Sequence, residues 1–571
     1  MASKRRSIDG ILASSASGTS LLVLIQIFSK GVTFAANQVL LRNISPTTLG
    51  ISMHLDLYSV TALYFSRESI RIAIQRQPPD DLTTKEAVSV SDNGQASELK
   101  HQARDADAAL ASKNRASQVI VNMSYVCLGL GFPLVYLLAT SYLHVAQNEV
   151  TECPFFGESL LIMGLASLLE LATEPFFAVV QQRMLYRTRA LVEMIAAIIK
   201  SLLTCAVAVW ASHVGREVGV LPMALGYLGY SLALMSSYLV TMLPVSRQEN
   251  FSFCLVPVDS SDGTHYLASR FSQPLVSLGA SAFFQSVVKH ILTQGDSMIL
   301  AAMSSLEDQG VYTFASNYGG LIARIIFQPV EDSSRNLFSK LLAFGNNSKP
   351  DPEALAAAKA HLIDIIHVYW ILTILAFVLG PTFLPLILHL LTGSRWASPK
   401  VDSLLSVYCY YIAFLAFNGI TEAFVSSAAD SRELRRQTIW MSFFSACFAA
   451  AAFFFLNVGG LGANGLVWTN IVNMSLRITW SYFFIKSYFG RHGISLNLSE
   501  ISLGYHTYGA AMVMLSVMHA AQYRQGTGLS GLIKAIGSGI VFTAVIFYLE
   551  RNFIIKKYMA IRGMRSLQGS N

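Results

Sequence analysis

LIARIIFQPVEDSSR, residues 321–335, is the stretch that decides how the chain folds. It begins inside an apolar run yet carries Arg324, Gln328, Glu331 and Arg335 at spacings of four, three and four. On a 3.6-residue helix those positions share one face. The surrounding segment, about 310–336, exceeds the roughly 20 residues that cross a hydrocarbon core of about 30 Å, so the polar stripe sits in a membrane span. Arg324 comes fourteen residues after Gly310, or about 21 Å along the axis at 1.5 Å per residue. Snorkelling outward from that depth is strained, and a polar cavity is the expected surrounding.

The rest of the chain has the same character. Of 571 residues, 53% are hydrophobic and 13% charged, which excludes a soluble globule of this size and predicts an all-α polytopic membrane protein. Fourteen spans are read at about 19–42, 48–75, 118–141, 158–181, 190–212, 220–243, 279–303, 310–336, 362–388, 401–428, 437–457, 463–486, 501–521 and 531–552. Pro381 and Pro385 are expected to break the second half of the ninth. Basic residues concentrate in KRR (4–6), QQRMLYRTR (181–189), DSRELRR (430–436) and the C-terminal tail. Both termini are therefore predicted to be cytosolic, as an even span count requires. The first apolar run has no small-residue cleavage site and is expected to remain as a span. Six scattered cysteines without a CxxC pair argue against a zinc site and a disulfide framework.

Residues 76–117 are polar, mixed in charge and poor in large apolar groups, and read as a flexible cytosolic loop. A shorter break divides the chain into an N-terminal lobe (1–245, helices one to six), a cytosolic linker (246–278), a C-terminal lobe (279–490, helices seven to twelve) and a trailing pair (491–571). An internal repeat should echo at a fixed offset. With Gly50 on Gly310, Leu40, Ser45 and Tyr58 also meet Leu300, Ser305 and Tyr318, a level near chance in so biased a composition.

Other spans carry polar groups that cost about 2.5–3.5 kcal/mol or more at mid-bilayer. Span one has Lys30 and Asn37, with Arg42 at its end; span two has Tyr64, Arg67, Glu68 and Arg71; span four has Glu170 and Glu174, one turn apart and followed by Pro175. Span seven brings Lys289 and Asp296, span ten Asn418 and Glu422, span twelve Arg477. Each has a bland alternative. Arg67, Arg71 and Arg335 lie toward cytosolic ends, where they can snorkel to headgroups; the acidic and amide pairs can be structural bonds between helices. Pro329 frees the carbonyl of Ile325 and is expected to kink the helix beside the stripe. GLGANG (460–465) matches a nucleotide fingerprint but lies between two spans without a βαβ context, and no Walker motif is present.

NQVLLRNISPTTLG (37–50), YFSRESIR (64–71), EPFFAVVQQR (174–183), LTQGD (292–296), ARIIFQPVEDSSR (323–335) and FNGITEAF (417–424) together resemble the Rft family of endoplasmic-reticulum membrane proteins. The resemblance implies two six-helix lobes in a V around a central cavity, with two C-terminal helices outside that help accommodate a polyprenyl tail. It also implies translocation of a dolichyl-pyrophosphate oligosaccharide to the lumenal leaflet for N-glycosylation, within a superfamily that includes multidrug exporters and lipid-precursor flippases. Arg42, Arg67, Arg71, Arg324, Glu331 and Arg335 fall on the family motifs and carry over as substrate-site candidates. Lys30, Lys289 and Arg477 rest on depth and charge alone.

A diphosphate suits arginine forks, sugar hydroxyls suit Asn37, Tyr64 and Gln328, and the tail suits lipid. Glu331 is expected to hold Arg335 or Arg324 in the empty site, while Glu68, Glu170, Glu174, Asp296 and Glu422 are charge partners or coupling groups. The rival readings are an ion-coupled exporter of the same fold, an accessory protein that binds the lipid-linked sugar without moving it, and, last, a glycosyltransferase. No enzymatic activity, cofactor, metal or nucleic-acid partner is expected, and the chain is expected to act as a monomer.

Overall fold

The computed structural model describes residues 29–75, 95–146, 148–183, 185–248, 251–258, 266–342, 352–392, 396, 398–520, 528–555 and 559. The fold is helical apart from one two-stranded hairpin. Seven helices in the described residues are long and apolar enough to cross a membrane: Asn114–Val145, Phe156–Gln182, Arg187–Val214, Leu221–Gln248, Pro352–Leu388, Pro399–Ala428 and Arg432–Val458. The chain is a multi-pass helical membrane protein whose Cα packing forms two compact units, Met1–Met298 and Ile299–Asn571.

The first unit contains α1 (29–43), α2 (Pro46–Gln75), α3 (Gln95–Val145), α4 (Phe156–Leu171), α5 (Glu174–Gln182), α6 (Tyr186–Val214), α7 (Leu221–Gln248) and most of α8 (Gln273–Met303). α4 and α5 form one span interrupted at Ala172 and Thr173. Pro175, which donates no backbone hydrogen bond, opens α5, where that donor is not needed. The phenyl rings of Phe176, Phe177, Phe251 and Phe253 join Val121, Val192 and Tyr238 in a core that gathers α3, α5, α6 and α7.

One expectation needs correction here. The stretch 76–117 is not one unstructured loop, because the α3 backbone is already helical from Gln95. The linker 246–278, where it is described, is held by side chains of α3. On α3, the Gln118 amide accepts from Ser252 N at 3.0 Å and donates to Cys254 O at 3.0 Å. Asn122, with no exposed surface, donates to Val256 O at 2.7 Å and Arg270 O at 3.0 Å and accepts from Val256 N at 3.3 Å. The Tyr125 hydroxyl donates to Phe253 O at 2.8 Å. Three polar side chains of α3 thus bond the backbone of a partly exposed linker segment.

The second unit holds α9 (Leu306–Ile322), a π-helical turn (Ala323–Phe327), α10 (Gln328–Leu341), α11 (Pro352–Thr392), α12 (Pro399–Ala428), α13 (Ser431–Phe453), α14 (Gly462–Arg491), α15 (Tyr505–Ala520) and α16 (Gly528–Leu549). Capping chemistry marks the starts. Ser305 accepts from Asp308 N at 3.2 Å, and Asp430 with Glu433 forms a capping box at α13.

Prolines act differently at two places. Pro329 disturbs its helix through a π-turn, Ala323–Phe327, that comes just before it. Pro381 and Pro385 do not end α11, which runs on to Thr392. Pro385 deprives the Pro381 carbonyl of its helical donor, and the Ser406 hydroxyl of α12, which donates to Asp402 O at 2.7 Å, also lies 3.3 Å from that carbonyl. α15 and α16 pack on α11 through Ile371, Ile374 and Val378 against Ala511, Phe542 and Ile546. A polar clasp lies at one end of that contact: Glu550 accepts from Thr507 at 2.6 Å and sits 3.1 Å from His367 Nε2.

Candidate functional site

Arg67 and Arg71 lie one turn apart on α2, so their guanidiniums leave the same helix face. They meet the two carboxylates that flank the α4–α5 break. Arg67 Nη1 donates to Glu170 Oε1 at 2.6 Å and reaches Glu174 Oε1 at 3.4 Å. Arg71 grips Glu174 with both edges, Nε to Oε2 at 2.9 Å and Nη2 to Oε1 at 2.6 Å, the two-pronged geometry that suits guanidinium and carboxylate. Glu170 is 6% exposed and Glu174 2%, and their span is the more enclosed kind, with 67% of its apolar window buried. These groups therefore face protein, which the snorkelling alternative for Arg67 and Arg71 does not predict.

Further side chains complete the cluster. The buried Tyr227 hydroxyl on α7 donates to the second oxygen of Glu170 at 2.6 Å, and Lys200 Nζ on α6 lies 5.0 Å from the Tyr227 ring centre. The Arg71 guanidinium covers the Phe177 ring at 3.9 Å, and Arg189 approaches the same ring at 4.8 Å. Two guanidiniums against two carboxylates leave no net charge between them. The pocket beside Arg71, Glu174 and Phe177 has a volume of about 10 Å³, room for about one water. In this state the arginines are occupied and present no open anion site.

A second polar group joins α2 to α8 inside the same unit. Lys289 Nζ donates to Glu68 Oε1 at 2.8 Å. His290, fully buried, lies 3.1 Å from the Thr61 hydroxyl and 4.7 Å ring to ring from Tyr64.

In the second unit, α12 is likewise 67% buried over its apolar window and carries Asn418 and Glu422 one turn apart. Arg477 of α14 donates to Glu422 Oε2 at 3.1 Å, and Asn418 donates to the same oxygen at 3.3 Å. Glu331 of α10 packs its carboxylate against Gly419, in the space where any Cβ at that position would stand. The absence of a side chain at Gly419 leaves room for the carboxylate in this position. Glu331 does not take the expected role of holding Arg335: Arg335 pairs with Asp332 at 3.1 Å, the neighbour three residues earlier on the exposed side of α10.

The remaining candidates are more scattered. Lys30 and Arg42 are exposed and Asn37 half-buried on α1, and Gln328 is exposed at the start of α10. Arg324 lies in the π-turn, and its side chain, like that of Asp296, is outside the described residues. Sequence reading missed Tyr227 and Lys200, as well as Asp56 on α2, which lies in the electrostatic range of Lys200. Lys200 and Asp56 carried the same signal as the chosen residues, a charge well inside an apolar run. Tyr227 carried none, because tyrosine is ordinary in such helices.

Comparison with known proteins agrees with this architecture. The family model described as "Rft protein" matches residues 14–560. A Candida glabrata protein named "Man(5)GlcNAc(2)-PP-dolichol translocation protein RFT1" is 32% identical over 560 residues, 95% of this chain and 96% of that one. The Yarrowia lipolytica protein of the same name is 33% identical over 509 residues, 84% of this chain and 71% of its own length. Among solved structures, the lipid II flippase MurJ in an inward closed conformation superposes with a TM-score of 0.58, covering 94% of this chain and 99% of MurJ at 12% identity, a likeness of fold. With a family match over nearly its whole length and relatives of this identity and coverage, the chain belongs to the Rft family.

Proposed function

We propose that this chain moves Man(5)GlcNAc(2)-PP-dolichol from the cytosolic to the lumenal leaflet of the endoplasmic reticulum membrane, supplying protein N-glycosylation. It does so as a fourteen-span monomeric transporter with six spans in each lobe, a trailing pair and both termini in the cytosol, and not as an enzyme. The observation that carries this reading is the pairing of Arg67 and Arg71 with two almost fully buried carboxylates inside membrane helices. It is supported by the near full-length similarity to a relative named for this translocation.

The chemistry follows from the charges. A diphosphate competes well for guanidinium forks in a low-dielectric site, because each fork gives two parallel charge-assisted bonds. While the site is empty, Glu170 and Glu174 keep both forks neutralised and oriented. On loading, the diphosphate takes the arginines, and Glu170 retains its bond from Tyr227. Arg42, Arg324, Arg335, Lys30, Lys289 and Arg477 add positive charge along the path, with Asn37, Tyr64 and Gln328 for sugar hydroxyls. The saturation of Glu170 and Glu174 by arginine favours this orienting role over proton or sodium coupling. The dolichyl tail stays in lipid beside α15 and α16, whose Met512, Val513, Ile540 and Val541 are exposed.

The test is purified protein in liposomes with labelled Man(5)GlcNAc(2)-PP-dolichol, with leaflet exchange followed in the wild type and in Arg67→Ala with Arg71→Ala. Exchange in the wild type that falls at least tenfold in the double variant is expected. Wild-type exchange equal to that of empty liposomes would leave the accessory-protein reading in its place.

A further inference from the structure

The second unit has a concave site that the translocation chemistry does not use. It opens between the N-terminal turns of α13 and the C-terminal turns of α14, two helix ends that lie together on one face of the membrane. Its volume is about 300 Å³, and its walls include Trp440, Trp480 and Phe484, with Arg436, Arg491 and Glu433 at the rim. Trp480 and Phe484 stack at 5.8 Å with ring planes 18° apart, which gives one continuous flat wall. Glu433, already committed to the α13 capping box, pairs with Arg491 at 2.7 Å and fixes that guanidinium at the rim. Arg436 is exposed, and Arg432 and Arg435 stand on the same turns of α13.

Interfacial tryptophans alone would be topological anchors. A pocket that combines an aromatic wall with a cationic rim at a bilayer boundary fits an amphiphile with an anionic head. A volume of about 300 Å³ is at the lower end of small-ligand sites, enough for a lipid headgroup and too small for a heptasaccharide. Positive charge in DSRELRR (430–436) puts this rim on the cytosolic side, where anionic lipids concentrate.

We infer that the α13–α14 pocket binds a phosphate-bearing glycerophospholipid of the cytosolic leaflet, with its phosphate on Arg436, beside the Arg491 that Glu433 already neutralises, and its upper acyl chain along Trp440, Trp480 and Phe484. This site is separate from the Arg67–Glu174 cluster and does not depend on the translocation reading.

The full-length protein in detergent, incubated with equimolar phosphatidic acid and phosphatidylcholine, is examined by native mass spectrometry for retained lipid. Wild-type protein should retain phosphatidic acid in preference. Arg436→Gln, an exposed position whose replacement leaves the core untouched, should lower that retention by about fivefold to tenfold, in keeping with the loss of one cation beside an anionic head. Trp480→Ala should lower retention of both lipids, since it removes wall and not charge. Millimolar inorganic phosphate should compete poorly, because it lacks the chain; displacement by free phosphate would overturn the lipid assignment in favour of a plain anion site. Equal retention of the two lipids by the wild type, or unchanged preference in Arg436→Gln, would overturn the proposal.

Discussion

Replacing Glu174 with alanine removes both bonds that Arg71 makes to Glu174 and the longer contact from Arg67, and leaves two guanidiniums facing the single carboxylate of Glu170. Removing one partner of a buried pair costs about 3–5 kcal/mol, mostly for the stranded charge. The arginine side chains keep 22% and 23% of their exposure, so some water reaches them, and the lower end, about 3 kcal/mol, is expected. Glu174→Ala together with Arg71→Met removes the stranded charge with its partner and should recover at least about 1 kcal/mol of that loss. Equilibrium unfolding of purified protein in mixed micelles, run as a double-mutant cycle over both single variants and the pair, measures the coupling. A single Glu174→Ala variant within about 0.5 kcal/mol of the wild type, or strictly additive losses, would refute the view that these groups form one energetically linked cluster.

Asn122→Ala strands the Val256 amide and the Val256 and Arg270 carbonyls. At about 0.5–1.5 kcal/mol for each bond lost at this partly exposed site, the linker should loosen, read as faster proteolysis between residues 246 and 270 without loss of the helical signal. Ser406→Ala removes a hydroxyl shared between Asp402 O at 2.7 Å and the Pro381 carbonyl at 3.3 Å, and should cost about 0.6 kcal/mol, the average for such bonds between membrane helices, in the same unfolding assay. Gly419→Ala places a methyl where the Glu331 carboxylate stands; the carboxylate is the end of a flexible side chain and swings away, so the loss should stay at about 1 kcal/mol, the low end for overpacking, in the same unfolding assay.

Much of the fold could be read from apolar length, because a bilayer admits few solutions and a helix must satisfy its own backbone. What could not be read is how a proline or a polar loop is rescued by a residue far away in the chain. Nothing local in LGPTFLPLI (379–387) announces that Ser406 will donate to Pro381, and nothing in the polar linker announces Gln118 and Asn122. The candidate site was legible in kind but not in partnership. A charge inside an apolar run marked Arg67, Arg71, Glu170 and Glu174 individually, yet their pairing joins positions more than a hundred residues apart. The nearest-neighbour rule failed at Glu331, whose carboxylate lies against Gly419 of a second helix while Arg335 pairs with Asp332.

The two units answer one demand in different ways. Each has an unusually enclosed span that carries polar groups one turn apart, Glu170 with Glu174 and Asn418 with Glu422. In the first unit the balancing cations come from α2; in the second, Arg477 comes from α14 while α10 brings a further acid, Glu331. On the proposed reading, the difference also sets where movement would occur. In the first unit both arginines are saturated, so an anion reaches them only after a carboxylate withdraws. Arg67 touches acids on both sides of the Ala172–Thr173 break, whereas Arg71 touches only the acid beyond it. A rotation of α5 against α4 at that break would therefore free Arg71 first and leave Arg67 anchored to Glu170, which Tyr227 holds from α7.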